Sequence, residues 1–184
     1  MNELQKILQV VSELEASGVE TLLVGGMAVN HYGYTRNTLD VDFLIASSAL
    51  DTVKATFKAL GYTNVAEHES VLFFNKPGSS FRVDFLKTDG ATVAHLREKA
   101  MAVELSGCCV KVPALSDLLA MKFYSLKQAF SVRADKDLPD IAWLAIINGL
   151  DAEKDLYPLA LRYANEDVYR AVLSKIDSLK MGSL

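Results

Sequence analysis

Two aspartates and a glycine pair are the residues of this chain whose types and spacing suit ligand binding or catalysis. Asp40 and Asp42 lie one residue apart in an apolar run that continues to Ile45 and predicts a strand. Because side chains alternate between the faces of a strand, both carboxylates share one face. Two neighbouring carboxylates repel each other unless a cation lies between them. Mg²⁺, a hard cation that shares oxygen ligands with substrate phosphates, suits such a pair.

The glycine pair, Gly25 and Gly26, follows a short apolar stretch, residues 20–24, that predicts a central strand. Neither glycine has a side chain, so a phosphate can approach their backbone N–H groups closely. The helix predicted next, over residues 27–32, would direct its positive end at that phosphate. Either motif alone is a weak signal. In this order and at this distance they indicate a nucleoside triphosphate bound with a divalent metal.

The stretch from Val24 to Phe43 resembles the polymerase-β-like nucleotidyltransferase superfamily, whose signature is hG[GS], a spacer and then Dh[DE]h. Thirteen residues separate Gly26 from Asp40 here. More narrowly, the stretch is similar to small GG-type members, among them abortive-infection (AbiEii-like) toxins and some antibiotic nucleotidyltransferases. Those members often carry an arginine and a threonine just before the aspartates. The resemblance implies four nucleotide-binding residues in this region: Gly25, Gly26, Arg36 and Thr38.

A third aspartate, Asp84, lies in the alternating segment FRVDFL, which predicts a strand over residues 81–86. Alternation places it on the face opposite Phe81 and Phe85, where an exposed hairpin residue would also fit. The resemblance implies that Asp84 takes the place of the superfamily's third carboxylate, which lies on a later strand antiparallel to the strand of the first two. The catalytic and metal-binding set so implied, for one or two Mg²⁺ ions, is Asp40, Asp42 and Asp84.

The predicted elements around these motifs favour a mixed α/β domain. We expect helices at residues 2–17, at 50–60 with Ser47 or Ser48 as the cap, and at 92–100; strands at 62–66 and 71–75; and a hairpin of 102–106 with 109–112. After Pro113 the pattern is helical, with breaks near Ala134, Gly149 and Asn165. The expected fold is a nucleotidyltransferase core of mixed sheet and flanking helices in residues 1–112, with a helical section in residues 113–184 packed on it.

Lys122 lies on the apolar face of the helix predicted over residues 114–129, because Leu118, Leu119 and Leu126 are three or four residues away. A lysine at the edge of a domain can take this position by extending its charged end to water. The stretch VPALSDLLAMK is also similar to the segment that ends in a triphosphate-neutralising lysine in related nucleotidyltransferases. That resemblance implies that Lys122 binds nucleotide.

The segment RADKDLPDI surrounds a predicted helix start and contains Arg133, Lys136, Asp137 and Asp140. Aspartates in a first turn interact favourably with the helix dipole, so capping and surface charge explain them without a function. The segment also resembles an R..KD..D motif that helps to build the site of abortive-infection-type relatives from the helical side. That resemblance implies a nucleotide-binding contribution from Lys136 and Asp137.

Composition bounds the class of protein. The chain has 184 residues, 51% of them hydrophobic and 23% charged, which fits one globular domain with a small helical appendage. Its net charge of −4 argues against a general nucleic-acid coat. Cys108 and Cys109 are adjacent and lack zinc-ligand spacing, as suits a reducing compartment. With no secretory leader pattern and no apolar run near the roughly 20 residues that span a bilayer, we expect a cytoplasmic protein without membrane contact.

The resemblance implies a Mg²⁺-dependent transfer of a nucleoside monophosphate from an NTP to an acceptor hydroxyl, with release of pyrophosphate. The acceptor can be tRNA, a protein or a small molecule such as an antibiotic. One alternative is the toxin of a toxin–antitoxin pair, which uses the same chemistry against its host and is restrained by a cognate antitoxin. Another is a nucleotide-binding protein without catalysis, which the presence of all three carboxylates disfavours.

Overall fold

The computed structural model describes residues 2–182, apart from the side chains of residues 64 and 65. The chain forms two compact units. The sheet unit contains the described residues up to Ala28 together with Asn37–Ala114, and the helical unit contains Val29–Arg36 together with the residues from Leu115 onward. Relative to the predicted ranges, the boundary lies two residues later and the segment 29–36 joins the helices. Whether each part is an independent domain stays a prediction.

Five strands form one mixed sheet in the sheet unit, in the order β1-β2-β5-β4-β3. Their bounds are Thr21–Val24 for β1, Asp40–Ala46 for β2, Asn64–Glu67 for β3, Val71–Asn75 for β4 and Arg82–Thr88 for β5. The predicted hairpin is also present, as β6 over Met101–Leu105 and β7 over Cys108–Val112. Strand β1 is antiparallel to β2, and β4 is antiparallel to both β3 and β5. The expected mixed sheet is therefore confirmed.

The direction of β5 corrects one expectation. Strand β5 runs parallel to β2, whereas the resemblance placed the third aspartate on an antiparallel strand. The chain between the two strands contains a helix and the hairpin of β3 and β4. That connection returns the chain to the end of the sheet at which β2 began, so β5 runs in the same direction as β2.

The helices that include residues of the sheet unit are α1 (Glu3–Ala16), α2 (Gly25–His31), α3 (Leu50–Ala59) and α4 (Gly90–Glu98). Helix α2 starts at the glycine pair itself, two residues earlier than predicted. The predicted serine cap of α3 is wrong, because Ser47–Ala49 form a single 3₁₀ turn ahead of it and neither element has a side-chain cap. Elsewhere Asn2 and Asp89 accept the backbone N–H bonds that begin α1 and α4.

An aromatic core holds β2 and β5 side by side. Phe43 on β2 stacks on Phe85 of β5, with ring centroids 5.5 Å apart. Phe57 of α3 and Phe74 of β4 complete the cluster, and all four side chains are fully buried. Because side chains alternate along each strand, this packing assigns Asp40 and Asp42 of β2, and Arg82 and Asp84 of β5, to the opposite face.

The helical unit contains α5 (Leu115–Ile147), a π-helical turn (Ala152–Leu156), α6 (Tyr157–Tyr163) and α7 (Glu166–Met181), with α5 packed against α6 and α7. The breaks expected at Gly149 and Asn165 are confirmed, since the first ends α5 and the second caps α7. The break expected near Ala134 is wrong. Helix α5 is instead interrupted at Ala129, whose φ and ψ are −149° and 55°. In residues 2–182 no helix is long and apolar enough to cross a membrane.

Candidate active site

Three predicted carboxylates lie on one face of the sheet, opposite the aromatic core. In the parallel register Asp42 is directly beside Asp84, and Asp40 is directly beside Arg82. Asp40 and Asp42 are half-buried, and Asp84 is 4% exposed. Paired residues on neighbouring strands direct their side chains to the same face. The structure therefore brings Asp40, Asp42 and Asp84 together as a carboxylate cluster.

Arg82 bridges two members of this carboxylate cluster. Its Nε and Nη2 atoms donate hydrogen bonds of 2.8 Å each to the two carboxylate oxygens of Asp84, and Nη2 lies 3.3 Å from Oδ1 of Asp40. The bond to Asp84 raises the pKa of Arg82 above its ordinary value, burial opposes this, and the charges of Asp84, Asp40 and Asp42 add to the rise. The sequence prediction missed this arginine, although its position two residues before Asp84 puts both side chains on one face.

The glycine pair packs directly against the aspartate strand. A Cβ atom at Gly25 would overlap the carboxylate of Asp42, and the φ of +61° at Gly25 disfavours any other residue. A Cβ at Gly26 would lie 2.8 Å from the Thr38 hydroxyl, which itself donates a 3.2 Å hydrogen bond to the backbone carbonyl of Asp40. Close packing against Asp42 and Thr38 thus requires glycine at both positions.

The donor chemistry of the carboxylate cluster fits a hard divalent cation, because it consists of oxygen ligands on adjacent strands. In the arrangement observed, however, the guanidinium of Arg82 holds two of the three carboxylates. As they stand, no three His, Cys, Asp or Glu side chains within residues 2–182 are grouped to hold a metal ion. The oxygen ligands are of the type that suits the cation implied by the resemblance, whereas in the positions observed two of them bind Arg82.

A second charged group is buried inside the helical unit. Lys122 donates hydrogen bonds of 3.0 Å to Asp137 and 2.6 Å to Asp140. Arg36 donates two further bonds to Asp140, at 2.7 and 2.9 Å, and Arg133 donates two to Asp137, at 2.9 and 3.3 Å. Both aspartates are fully buried, and Lys122 is 5% exposed. We call these five residues the buried ion network.

Electrostatics in the buried ion network favour the charged forms. Burial alone would raise the pKa of Asp137, but Lys122 and Arg133 outweigh it and hold that pKa below its ordinary value. Burial would likewise lower the pKa of Arg36, and its hydrogen bond and charge interaction with Asp140 raise it instead. The explanation of Asp137 and Asp140 as first-turn caps or surface charges is therefore wrong. Both lie inside α5, well past its break.

The buried ion network accounts for three predicted site residues, Arg36, Lys122 and Asp137, and adds two that were not predicted, Arg133 and Asp140. Asp140 is bonded to both Arg36 and Lys122. Its local signal was only its position three residues after Asp137, since its partner Arg36 is 104 residues away in sequence. Lys136, the remaining predicted residue, is half-buried on the same segment of α5.

The loop that follows α2 is fixed within the helical unit. The side chain of Asn30 donates to the backbone carbonyl of Arg36 and accepts from its N–H, both at 3.0 Å. Tyr34 stacks on Trp143 of α5 with centroids 5.8 Å apart. These contacts hold Arg36 in place for its paired bonds to Asp140.

Solved structures with a similar fold include an adenylyltransferase and a nucleotidyltransferase-like protein. This chain is 14% identical to the antibiotic-resistance factor ANT(2″)-Ia, with a TM-score of 0.65, and the match covers 99% of this chain and 100% of that protein. The lincomycin-bound lincosamide antibiotic adenylyltransferase LnuA is 15% identical over 80% of this chain and 98% of its own, with a TM-score of 0.56. A nucleotidyltransferase-like antigenic protein from Paracoccidioides brasiliensis is 17% identical, with a TM-score of 0.54, over 79% and 76% of the two chains. At these identities the likeness establishes the fold, which is that of a nucleotidyltransferase.

The sequence identifies the family within this class. Residues 7–181 match the family described as nucleotidyl transferase AbiEii toxin of a type IV toxin–antitoxin system, and the chain belongs to that family. It is thus a nucleotidyltransferase of a toxin family, as the resemblance predicted. No curated protein matches the chain.

Proposed function

We propose that this protein transfers a nucleoside monophosphate from an NTP to an acceptor hydroxyl, with Mg²⁺ bound at the carboxylate cluster of Asp40, Asp42 and Asp84. The observation that carries the proposal is the parallel pairing of β2 and β5, which sets Asp42 beside Asp84 and next to the glycine pair. Three carboxylates on one face concentrate negative charge where a cation is needed to offset it. Membership of the AbiEii family supports the reaction class.

In this reaction the acceptor oxygen forms a bond to the α-phosphorus while the bond from that phosphorus to the bridging oxygen breaks. Pyrophosphate leaves with the bonding electrons, and the hydroxyl proton passes to a carboxylate or to water. A bound divalent cation supplies charge neutralisation for the attacking and leaving oxygens. Asp40 and Asp42 would hold it, and Asp84 would complete the ligand set or accept the proton. Gly25 lets the chain pack directly against the Asp42 carboxylate, and Gly26 does the same for Thr38, whose hydroxyl binds the backbone carbonyl of Asp40.

Nucleotide contacts from Arg36, Lys122, Lys136 and Asp137 stay predictions. Three of these four residues belong to the buried ion network, where their polar atoms already bind other members of the network. That bonding supports a structural contribution, in which the network fixes the loop that carries Arg36.

The family description supports a toxin whose acceptor is a component of the host and whose counterpart is an antitoxin. ANT(2″)-Ia, which has the same fold, is described in complex with adenylyl-2″-tobramycin. An aminoglycoside therefore belongs among the acceptors to be tested, beside tRNA and total protein.

The test is transfer of label from each α-³²P-labelled NTP, with Mg²⁺, to tRNA, total protein or tobramycin in separate reactions. We expect one acceptor to be labelled, with the label reduced about 10³-fold in the double variant Asp40→Asn, Asp42→Asn. Asp51→Asn, at an exposed position on α3, is the matched control and should transfer normally. Full transfer by the double variant would refute the assignment. Binding of NTP without transfer to any acceptor would instead indicate a nucleotide-binding protein.

A further inference from the structure

Arg82 is held from two sides in the sheet unit. Its guanidinium makes two 2.8 Å hydrogen bonds to Asp84 and approaches Asp40 at 3.3 Å. On β4, the residue paired with Asp84 is Phe73, and the Arg82 guanidinium lies 5.1 Å from the centre of its ring. A paired fork on a carboxylate and a cation over an aromatic face are both favourable for arginine. The position of the Arg82 guanidinium is therefore fixed by Asp84, Asp40 and Phe73.

Arg82 contacts two of the carboxylates that are proposed to hold the divalent cation, Asp84 and Asp40. An arginine side chain stays protonated under all ordinary conditions. The negative charges that hold Arg82 are the same ones that would attract a divalent cation. Two positive groups cannot both occupy the space between Asp40 and Asp84 without repelling each other. The side chain of Arg82 is also 42% exposed, so it has a path into solvent.

We propose that Arg82 is a built-in counter-ion that competes with the divalent cation for Asp40 and Asp84. It holds the carboxylates of the two strands together in the metal-free protein and withdraws when the cation binds. This inference rests on the metal assignment of the proposed function. It adds a residue that sets how tightly the cation is held, outside the carboxylate ligands themselves.

The test measures Mn²⁺ binding through the electron paramagnetic resonance signal of the free ion, without nucleotide and without assaying transfer. Mn²⁺ is the probe because it accepts the same carboxylate ligands as Mg²⁺. We expect Arg82→Gln to bind Mn²⁺ about tenfold more tightly than the wild type, equivalent to about 1.4 kcal/mol. Arg82→Lys keeps the charge but loses the paired fork, so its affinity should rise by a smaller factor.

Arg97→Gln is the matched control. Arg97 also bridges two carboxylates of the sheet unit, at 2.6 Å from Glu15 and 3.4 Å from Glu20, away from the carboxylate cluster. Its loss removes a comparable ion pair and should leave Mn²⁺ affinity at the wild-type value. This variant therefore separates competition at the cluster from a general change in charge or stability.

The competition would be overturned if Arg82→Gln and Arg82→Lys bound Mn²⁺ no more tightly than the wild type. If the wild type bound Mn²⁺ and the double variant Asp40→Asn, Asp42→Asn did not, the proposed function would remain intact in that case. Absence of Mn²⁺ binding in the wild type and in both Arg82 variants would refute the metal assignment and the competition together. Tighter binding by both Arg82 variants and not by Arg97→Gln is the result that supports the inference.

Discussion

The two charged groups of this protein differ in composition and in burial. The carboxylate cluster of the sheet unit places three acids on adjacent strands, with Arg82 in contact with two of them, and Asp40 and Asp42 are only half-buried. The buried ion network of the helical unit has two fully buried acids for three cations. Every carboxylate of the buried ion network has at least two cationic partners.

This difference indicates that the carboxylate cluster serves the reaction and that the buried ion network stabilises the fold. Charges are removed from water at a large cost unless each is paired and hydrogen-bonded, and the buried ion network meets that condition. Its carboxylates are already engaged, so its expected contribution is to hold α5 and the loop carrying Arg36. In the carboxylate cluster Asp42 and Asp84 lie side by side, and repulsion between such neighbouring acids falls when a cation binds to them. Substitutions should therefore reduce stability in one group and activity in the other.

The largest stability loss is expected for Asp140→Ala, which would test whether the buried ion network is structural. Removal of this carboxylate leaves Arg36 and Lys122 short of a buried partner. Loss of one partner of a buried ion pair costs about 3–5 kcal/mol in unfolding free energy. Urea unfolding measures it.

Asp177→Ala, at an exposed position on α7, is the control for Asp140→Ala and should change the unfolding free energy by less than about 0.5 kcal/mol. If Asp140→Ala were as mild as this control, the contrast between the two groups would not hold.

A smaller loss is expected for Gly25→Ala, which tests how tightly the carboxylate cluster is packed. The added methyl group would overlap the Asp42 carboxylate at a backbone with φ of +61°. Gly78→Ala shares a positive φ, +79°, but meets no atom within 4 Å. The backbone part is about 1–3 kcal/mol for each variant, so a greater loss in Gly25→Ala reports the overlap. Equal losses, with normal transfer by Gly25→Ala, would contradict the contact.

The smallest effect is the pH dependence contributed by Asp137. Because Lys122 and Arg133 hold its pKa in the folded protein below the ordinary value of about 3.9, the stability it contributes is complete above that value. That stability is lost as the pH falls through the lower folded pKa. Urea midpoints from pH 7 to pH 3 should therefore fall less in Asp137→Asn than in the wild type. An identical acid response of the two proteins would remove Asp137 from the account.

Local patterns were sufficient to predict much of the fold and the grouping of the acids. Period-two alternation located Asp40 and Asp42 on one face and put Asp84 opposite Phe85. The change to helical periodicity after Pro113 predicted α5. These features depend on neighbouring residues alone, which explains why they can be predicted from a single sequence. Arg82 had the same local signal, since it lies two residues before Asp84, and only its partners were unknown.

Features that depend on distant residues were not predictable in this way. The parallel direction of β5 depends on how the chain crosses from β2, and no residue within β5 encodes it. The pairing of Arg36 with Asp140 joins positions 104 residues apart. The break at Ala129 carries no glycine or proline, so packing rather than local propensity sets it. For the same reason capping and surface charge remained an alternative explanation of Asp137 and Asp140.

The most direct test of the central claim compares Asp42→Asn with Asp140→Ala in two measurements, label transfer and urea unfolding. We expect Asp42→Asn to lose transfer about 10³-fold while its unfolding free energy stays within about 1 kcal/mol of the wild type. Asp140→Ala should instead show the large loss of stability. Normal transfer by a folded Asp42→Asn variant would contradict the assignment of the chemistry to the carboxylate cluster.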